Sequence, residues 1–325
     1  MTDPAPLESA AGARRLLSLL APFIGLAVVV LFFTVMEPDS FPTFYNFKNV
    51  ATQTVIVGLG AVGMTFVIVS GGIDLSIGSV IAFSSVVSAW CMLQGFGAAA
   101  AALAGVLAGA LCGALNGLLI TRLKVVPFII TLGMLGIARG AAKALAGEQK
   151  IDADASWLAG LMTKPADWDL PVLPLGVWLM LGLAGVMAFV LRKTVFGTRT
   201  FAVGSSEATA RLCGVPVEGT KVAIYALCGA FAGLAGVLQF GRLTVGDPTT
   251  ALGKELDIIA AVVIGGASLS GGTGSILGAL IGAFLMSFLA NGCNLMGVPN
   301  YAQEILIGVI IVLAVTIDQL RSRRG

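Results

Sequence analysis

The chain has 325 residues, 57% of them hydrophobic and only 11% charged, whereas soluble proteins carry about 25% charged residues. Its formal net charge of +2 offers no basic surface to nucleic acid. The absence of histidine removes the usual zinc ligands and the imidazole of common catalytic pairs. These figures exclude a water-soluble enzyme and a nucleic-acid-binding protein, and they indicate a protein embedded in a lipid bilayer.

Long apolar runs recur along the whole chain and predict membrane-spanning helices, each of which needs about 20 residues. They cover 16–36, 50–70, 75–93, 97–120, 125–146, 175–191, 222–240, 275–290 and 302–317. The first run is too long for a cleaved signal segment, so we expect it to stay as an anchor. A tenth run, 256–267, is too short to span alone and predicts a helix broken by the glycines after Ile264. The predicted fold is therefore an all-α polytopic membrane protein of about ten transmembrane helices with glycine-broken segments.

The basic residues give the expected orientation, because short loops rich in Lys and Arg stay in the cytoplasm. If the chain starts inside, 12 of its 19 Lys and Arg residues lie there: Arg14, Arg15, Arg122, Lys124, Arg192, Lys193, Arg199, Arg211, Lys221, Arg321, Arg323 and Arg324. We therefore expect both termini in the cytoplasm. Residues 1–325 then form one transmembrane domain, with cytoplasmic tails at 1–15 and 318–325.

The positions of the glycines and cysteines predict how the interior is packed. Glycines recur every four residues in two ridges, a pattern that lets membrane helices approach closely: Gly105, Gly109, Gly113 and Gly117, then Gly274, Gly278 and Gly282. The five cysteines are far apart without a C-x-x-C pair, which predicts neither a disulfide nor a metal site. We expect all five to be small core residues: Cys91, Cys112, Cys213, Cys228 and Cys293.

Two similar Gly-Gly segments, at 69–79 and 264–275, each interrupt one apolar run and begin another. Unwound backbone in a membrane must be buried in protein or face water. Paired broken segments in the two halves of a chain indicate a transport pathway. An ordinary cytoplasmic turn remains the alternative for either segment taken alone.

Polar residues within or beside the apolar runs are candidates to line that pathway: Asp74, Ser76, Asn116, Arg139, Ser268 and Asn291. Asp74 either caps the helix that follows it or contacts the solute. Arg139 faces the bundle interior or extends to the outer surface, and the two asparagines bond across helices or contact the solute. The set offers hydroxyls and amides without a cluster of one charge sign, which favours an uncharged polar solute.

A polar segment at 196–220 separates the sixth and seventh runs. Ser206 is suited to cap a short helix, Glu207 suits its first turn, and Gly214 with Pro216 ends it. Such a helix is too short to be stable alone. A partner protein on the cytoplasmic face is the natural stabiliser.

The chain resembles the inner-membrane permeases of ribose-type sugar ABC importers, which are related to the xylose, arabinose and galactoside permeases. The resemblance covers about residues 45–318 and rests on six motifs in order: Gly-Gly-Ile-Asp-Leu-Ser-Ile-Gly-Ser at 71–79, Asn-Gly at 116–117 before Ile-Thr at 120–121, Thr-Leu-Gly at 131–133 with Ala-Arg-Gly at 138–140, Glu-Ala at 207–208 with Arg-Leu-Cys-Gly-Val at 211–215, Glu-Leu-Asp-Ile-Ile-Ala-Ala-Val-Val-Ile-Gly-Gly at 255–266, and Asn-Gly at 291–292 with Gly-Val at 297–298. Two positions depart from the family pattern: Ser206 replaces the usual Asn, and Lys254 replaces a frequent Tyr.

The resemblance implies a permease that imports a monosaccharide and pairs with a second copy, ABC ATPase subunits and an external sugar-binding protein. ATP and Mg²⁺ would bind to the ATPase, so no cofactor is expected in this chain. The short helix resembles the coupling helix that docks on the ATPase, through Ser206, Glu207, Ala208, Arg211, Leu212 and Gly214. Contacts with the binding protein are expected on the outer side, at Arg242, Asp247, Lys254 and Glu255. A permease for a nucleoside or another small neutral polar solute remains the alternative.

Overall fold

The computed structural model describes residues 7–163 and 173–322. Residues 1–6 of the predicted N-terminal tail, and Arg323 and Arg324 of the C-terminal tail, lie outside the described residues. Within them the chain forms these helices: α1 (Leu7–Met36), α2 (Phe44–Val69), α3 (Ile77–Leu93), α4 (Ala98–Leu123), α5 (Pro127–Leu145), α6 (Trp157–Met162), α7 (Leu175–Lys193), α8 (Val195–Ser205), α9 (Glu207–Leu212), α10 (Val217–Leu243), α11 (Lys254–Ile264), α12 (Ile276–Leu295) and α13 (Asn300–Ser322). The predicted tails are thus partly helical, because α1 starts at Leu7 and α13 runs to Ser322.

Six of the described helices are long and apolar enough to cross a membrane: α2, α4, α5, α7, α10 and α12. Three shorter apolar stretches accompany them, at Leu20–Met36, Ile77–Leu93 and Asn300–Leu313. The structure therefore confirms a helical, multi-pass architecture, while the expected count of about ten spans is not reached by this measure. The short run after residue 254 behaves as predicted: α11 has 11 residues and ends at Ile264, before Gly266 takes a positive φ of 93°.

One short antiparallel ribbon departs from the all-α expectation. Strand β1 (Ile151–Asp152) pairs with β2 (Val245–Gly246), with Ile151 opposite Gly246. The two strands belong to the loops that follow α5 and α10. Pairing satisfies the backbone groups of two extended loop segments that meet at one end of the bundle.

Both predicted glycine ridges are confirmed as packing surfaces. The first, on α4, lies against α10: a methyl group on Gly109 would lie 2.7 Å from the Cα of Gly233, and one on Gly117 would lie 2.6 Å from the Cα of Val222. In the second, Gly278 contacts Gly265 and Gly282 contacts Ala261 on α11. No side chain larger than hydrogen fits these seams, so α10 and α11 each approach a neighbour at backbone distance.

The cysteine prediction is right at four positions and wrong at one. Cys91, Cys112, Cys228 and Cys293 are buried, but Cys213 is exposed. Cys213 is the residue at which α9 ends. It lies outside the core because α9 projects from the end of the bundle.

Candidate functional site

The short cytoplasmic helix predicted between the sixth and seventh runs is α9, and its two ends are formed as expected. The Ser206 hydroxyl accepts a hydrogen bond from the backbone N–H of Thr209 at 3.2 Å. At the other end Gly214 has a φ of +78°, and the backbone N–H of Val215 donates to the Ala210 carbonyl at 3.0 Å. This is a side-chain N-cap followed by a glycine C-cap of the Schellman type.

Helix α9 is attached to α10 by a small apolar cluster and an ionic network. Ala210 is buried with Val203 and Val217. The Glu207 carboxylate bonds the Lys221 ammonium at 2.6 Å and the Arg211 guanidinium at 3.3 Å, and Arg211 also pairs with Glu218. The hydrogen bond from Lys221 is the main cause that lowers the pKa of Glu207, and Arg211 adds to it. The predicted residues Glu207 and Arg211 thus fix α9 within the chain.

The opposite face of α9 is uncovered. Ala208 is exposed, and Leu212 has 89% of its surface exposed. A large apolar side chain in this position contributes nothing to the core of the chain. The predicted coupling residues therefore divide into a group that positions α9 and an apolar face, Ala208 with Leu212, that is free to contact another surface.

The two Gly-Gly breaks meet at the C-terminal end of α8, directly before α9. The Gly272 N–H donates to the Val69 carbonyl at 2.9 Å. A methyl group on Gly271 would lie 3.0 Å from the Cα of Gly71 and 2.6 Å from the carbonyl oxygen of Gly204. We call Gly71, Gly204, Gly271 and Gly272 the glycine junction. The sequence pairs the two breaks by similarity, but it does not predict their contact with α8.

Three of the predicted pathway residues form one buried network. The backbone N–H and the hydroxyl of Ser76 both donate to one Asp74 carboxylate oxygen, at 2.9 and 2.6 Å. The Asn116 amide donates to the Ser76 hydroxyl at 3.0 Å. Asp74 therefore stabilises the turn that starts α3, and Asn116 ties this turn to α4. Within the described residues, the Asn116 amide oxygen has no hydrogen-bond partner.

The other three predicted pathway residues lie elsewhere. Ser268 is half-buried in the second break. Asn291 is buried in α12, and its amide oxygen has no partner in the part of the chain that the structure describes, so the expected bond across helices is not seen there. Arg139 donates from Nη1 to the carbonyls of Pro248 at 2.7 Å and Thr250 at 2.8 Å. Arg139 thus ties α5 to the loop between β2 and α11.

The four predicted binding-protein contacts are less exposed than expected. The Asp247 carboxylate accepts a hydrogen bond from the Thr249 hydroxyl at 2.7 Å and forms an ion pair with Lys150 at 3.2 Å. Burial raises the pKa of Asp247, but these partners together lower it by more, so the net shift is downward. One Glu255 carboxylate oxygen is buried against Gly78. Arg242 and Lys254 line a cavity between α2, α10, α11 and α12.

That cavity includes polar residues that the sequence did not single out: Gln53, Gln239, Asp257 and Ser287. Three of them were visible as isolated polar positions inside apolar runs, at 53, 239 and 287. The structure therefore has two candidate regions at opposite ends of α10. One comprises α8, α9 and the glycine junction, and the other is the polar cavity.

Comparisons with known proteins identify the family of the chain. A family described as "Branched-chain amino acid transport system / permease component" matches residues 46–315. The chain is 41% identical to the ribose import permease protein of Bacillus subtilis, over 93% of either chain. It is 39% identical to the ribose import permease protein of Escherichia coli, over 92% of this chain and 93% of the relative.

A further relative is the L-arabinose transport system permease protein of Escherichia coli, which is 36% identical over 91% of this chain and 89% of its own. No solved structure matches significantly. The matched family consists of membrane permease components and not of enzymes. Together with the six apolar helices of the chain, this places it in the bacterial inner membrane. The chain belongs to this family of import permeases, alongside the ribose and arabinose permeases of ABC transporters.

Proposed function

We propose that the chain is the permease subunit through which an ABC importer moves a monosaccharide into the cell. The observation that carries the proposal is 41% identity to a ribose import permease over 93% of both chains. The family description names branched-chain amino acids, but the three relatives described above are ribose and arabinose permeases. The candidate pathway residues, with hydroxyl and amide groups and no cluster of one charge sign, suit an uncharged solute.

As an importer permease, the chain works with an ATPase and a solute-binding protein. We propose that two copies of the chain pair in the membrane, with both termini and the 196–220 segment in the cytoplasm. ATP and Mg²⁺ then bind to the ATPase, and no cofactor resides in this chain. Residues 1–325 act as a single permease domain.

The contacts of α9 support a mechanical route from the ATPase to the bundle. Ala208 and Leu212 form the face that docks on the ATPase. Displacement of α9 acts on α10 through the bond between Glu207 and Lys221. It also acts on α8, which directly precedes α9 in the chain. Gly204 near the end of α8 contacts both breaks at the glycine junction and so connects α8 to α2 and α12. Rigid helices with backbone contacts transmit small displacements because packed interfaces do not deform continuously.

The six candidate pathway residues keep separate roles in this proposal. Asp74, Ser76 and Asn116 hold the first break in position, so their effect on transport is indirect. Arg139 fixes the outer loop through two carbonyl contacts. Ser268 and Asn291 are the positions whose contact with the solute is still to be tested.

Variants of the exposed face of α9 test the coupling role. Leu212→Asp places a charge on that face and Ala208→Trp adds bulk, so we expect either one to reduce ATP-dependent sugar uptake by more than tenfold. Both variants should insert in the membrane and still bind the external partner. Ala99→Trp, at an exposed position of α4, is the control for bulk. Uptake at the wild-type rate by both α9 variants would reject the coupling assignment.

A further inference from the structure

The cavity between α2, α10, α11 and α12 has a volume of about 120 Å³. A cavity of this volume holds several water molecules, so it has room for a small polar solute. Its polar lining comes from four helices, with α11 contributing from its N-terminal turn: Gln53, Gln239, Arg242, Lys254, Asp257 and Ser287. Apolar side chains such as Ile56 and Met286 complete the wall.

Most of the charges in this cavity are already compensated. The Lys254 ammonium bonds the Asp257 carboxylate at 2.6 Å, and the Gln239 amide donates to the Thr250 hydroxyl at 3.0 Å. A neutralised pair of this kind still offers donors and acceptors to a ligand. The cavity therefore combines ammonium, amide and hydroxyl donors with carboxylate and amide acceptors in one small volume.

Arg242 differs from the other charged groups of the cavity. It is half-buried near the end of α10, and among the described residues no side chain or carbonyl is its hydrogen-bond or ion-pair partner. Five N–H donors in a planar fork are thus unmatched, although a guanidinium within a membrane protein normally pairs with an acceptor. This arrangement indicates that an external acceptor completes the site.

Arg242 also belongs to a second, more open cavity of about 370 Å³, which Tyr45, Asn49 and Thr163 line together with it. The side chain therefore stands between a wide entrance and the small polar cavity. A solute that moves from the open cavity to the small polar cavity passes the Arg242 guanidinium.

We propose that the small cavity is a transit binding site for one neutral monosaccharide, in which Arg242 donates to two adjacent hydroxyl oxygens of the sugar. The fork of a guanidinium matches a pair of neighbouring oxygens, while Asp257 and the two glutamines accept from other sugar hydroxyls. A cavity of this size suits a single sugar ring. This inference rests on the proposed function and adds a solute site inside the permease.

Import into reconstituted vesicles tests the site, with the ATPase, the binding protein and labelled D-ribose or L-arabinose. Arg242→Gln removes the charge, and Arg242→Lys keeps the charge but loses the fork. Ser287→Phe fills the cavity. Controls are Arg192→Gln, an exposed arginine, and Leu277→Phe, an exposed position on the same helix as Ser287.

We expect Arg242→Gln, Arg242→Lys and Ser287→Phe to lower the sugar imported per ATP hydrolysed by at least tenfold. ATP hydrolysis stimulated by the loaded binding protein should continue, which separates a blocked site from a misfolded permease that loses both activities. The two controls should import normally.

Two different failures are distinguishable. If the wild-type permease imports neither sugar nor any other neutral monosaccharide, the proposed function fails. If the wild type imports sugar and both Arg242→Gln and Ser287→Phe keep its ratio of import to ATP hydrolysis, the function stands and the transit site is rejected. An equal loss in Leu277→Phe and Ser287→Phe also rejects it, because the cavity volume would then be irrelevant.

Discussion

At the scale of single residues, Glu207 carries the attachment of α9. Its carboxylate bonds both Lys221 and Arg211, and Lys221 is the chief cause of its lowered pKa. Individual ion pairs that are partly exposed contribute only about 0.2–1 kcal/mol. Glu207 is nevertheless well suited to a local role, because a helix of two turns has little stability of its own.

The lowered pKa of Glu207 gives a pH dependence with a definite sign. A carboxylate whose pKa is lower in the folded state stabilises that state above its unfolded value, about 4.3. That contribution is lost as the pH falls through the lower folded-state value. We therefore expect Glu207→Gln to be less stable than the wild type at neutral pH, by up to about 1 kcal/mol, and equally stable once the pH lies below the folded-state pKa of Glu207.

Thermal unfolding of the detergent-purified permease across this pH range measures the difference. Glu304→Gln removes an exposed carboxylate that forms no ion pair among the described residues, and it serves as the control. If the difference in melting temperature between wild type and Glu207→Gln stays the same from neutral to acidic pH, the assignment is contradicted.

Residue features were predictable from the sequence where they depend on near neighbours. The cap of α9 by Ser206 needs only the next three residues, and the glycine C-cap needs only Gly214. The partner of Glu207 at Lys221 lies 14 residues away and depends on how α9 folds back onto α10. Arg242 was assigned to the surface because its cavity exists only after α2, α11 and α12 assemble around it.

At the scale of elements, the glycine junction joins three segments that are far apart in the chain. Gly204 is the point of contact: a methyl group there would lie 2.7 Å from the Gly272 nitrogen and would also collide with the Val69 carbonyl. Backbone atoms cannot move aside as a flexible side chain does. The contact therefore holds α8 against both breaks at a fixed distance.

Replacement of Gly204 by alanine should separate these segments. We expect Gly204→Ala to reduce thermal stability by about 1–3 kcal/mol, the usual cost of overpacking, and to impair transport. The control is Gly219→Ala at the start of α10, where nothing lies within 4 Å of the added methyl group. That change should be neutral or add up to about 1 kcal/mol through helix propensity.

Melting temperatures and sugar uptake of both variants give the result. Equal stability and equal uptake for Gly204→Ala and Gly219→Ala would show that the junction tolerates a larger separation.

Helix positions were predictable because apolar runs of fixed length report directly on burial in lipid or protein. The two glycine ridges were likewise visible in the four-residue period. The ribbon of β1 and β2 was not, because each strand has only two residues and the helices α6 to α10 separate the two strands in the chain. The glycine junction needs the relative placement of α2, α8 and α12, on which the local sequence is silent.

At the scale of the whole molecule, the contacts assign the loops to the two ends of the helical bundle. The glycine breaks, α8 and α9 meet at one end. The ribbon, Arg139 with its two carbonyl partners, and the pair of Lys150 with Asp247 lie at the other. Seven of the twelve Lys and Arg residues predicted to be cytoplasmic lie between Arg122 and Lys221, at helix ends and in the short helices of the first end. The positive-inside rule therefore predicts that α9 lies in the cytoplasm.

Cysteine labelling in intact cells tests this orientation, and the chain supplies its own inner probe. Cys213 is exposed at the end of α9, whereas the other four cysteines are buried. We expect Cys213 to react with a membrane-impermeant maleimide only after the cells are permeabilised. Gly160, an exposed position in α6, is the outer probe: Gly160→Cys in a Cys213→Ser background should react in intact cells, because α6 lies beside the ribbon end. The Cys213→Ser chain alone controls for labelling of the buried thiols. Reaction of Cys213 in intact cells, with Gly160→Cys protected until permeabilisation, would invert the topology and remove α9 from the reach of a cytoplasmic ATPase.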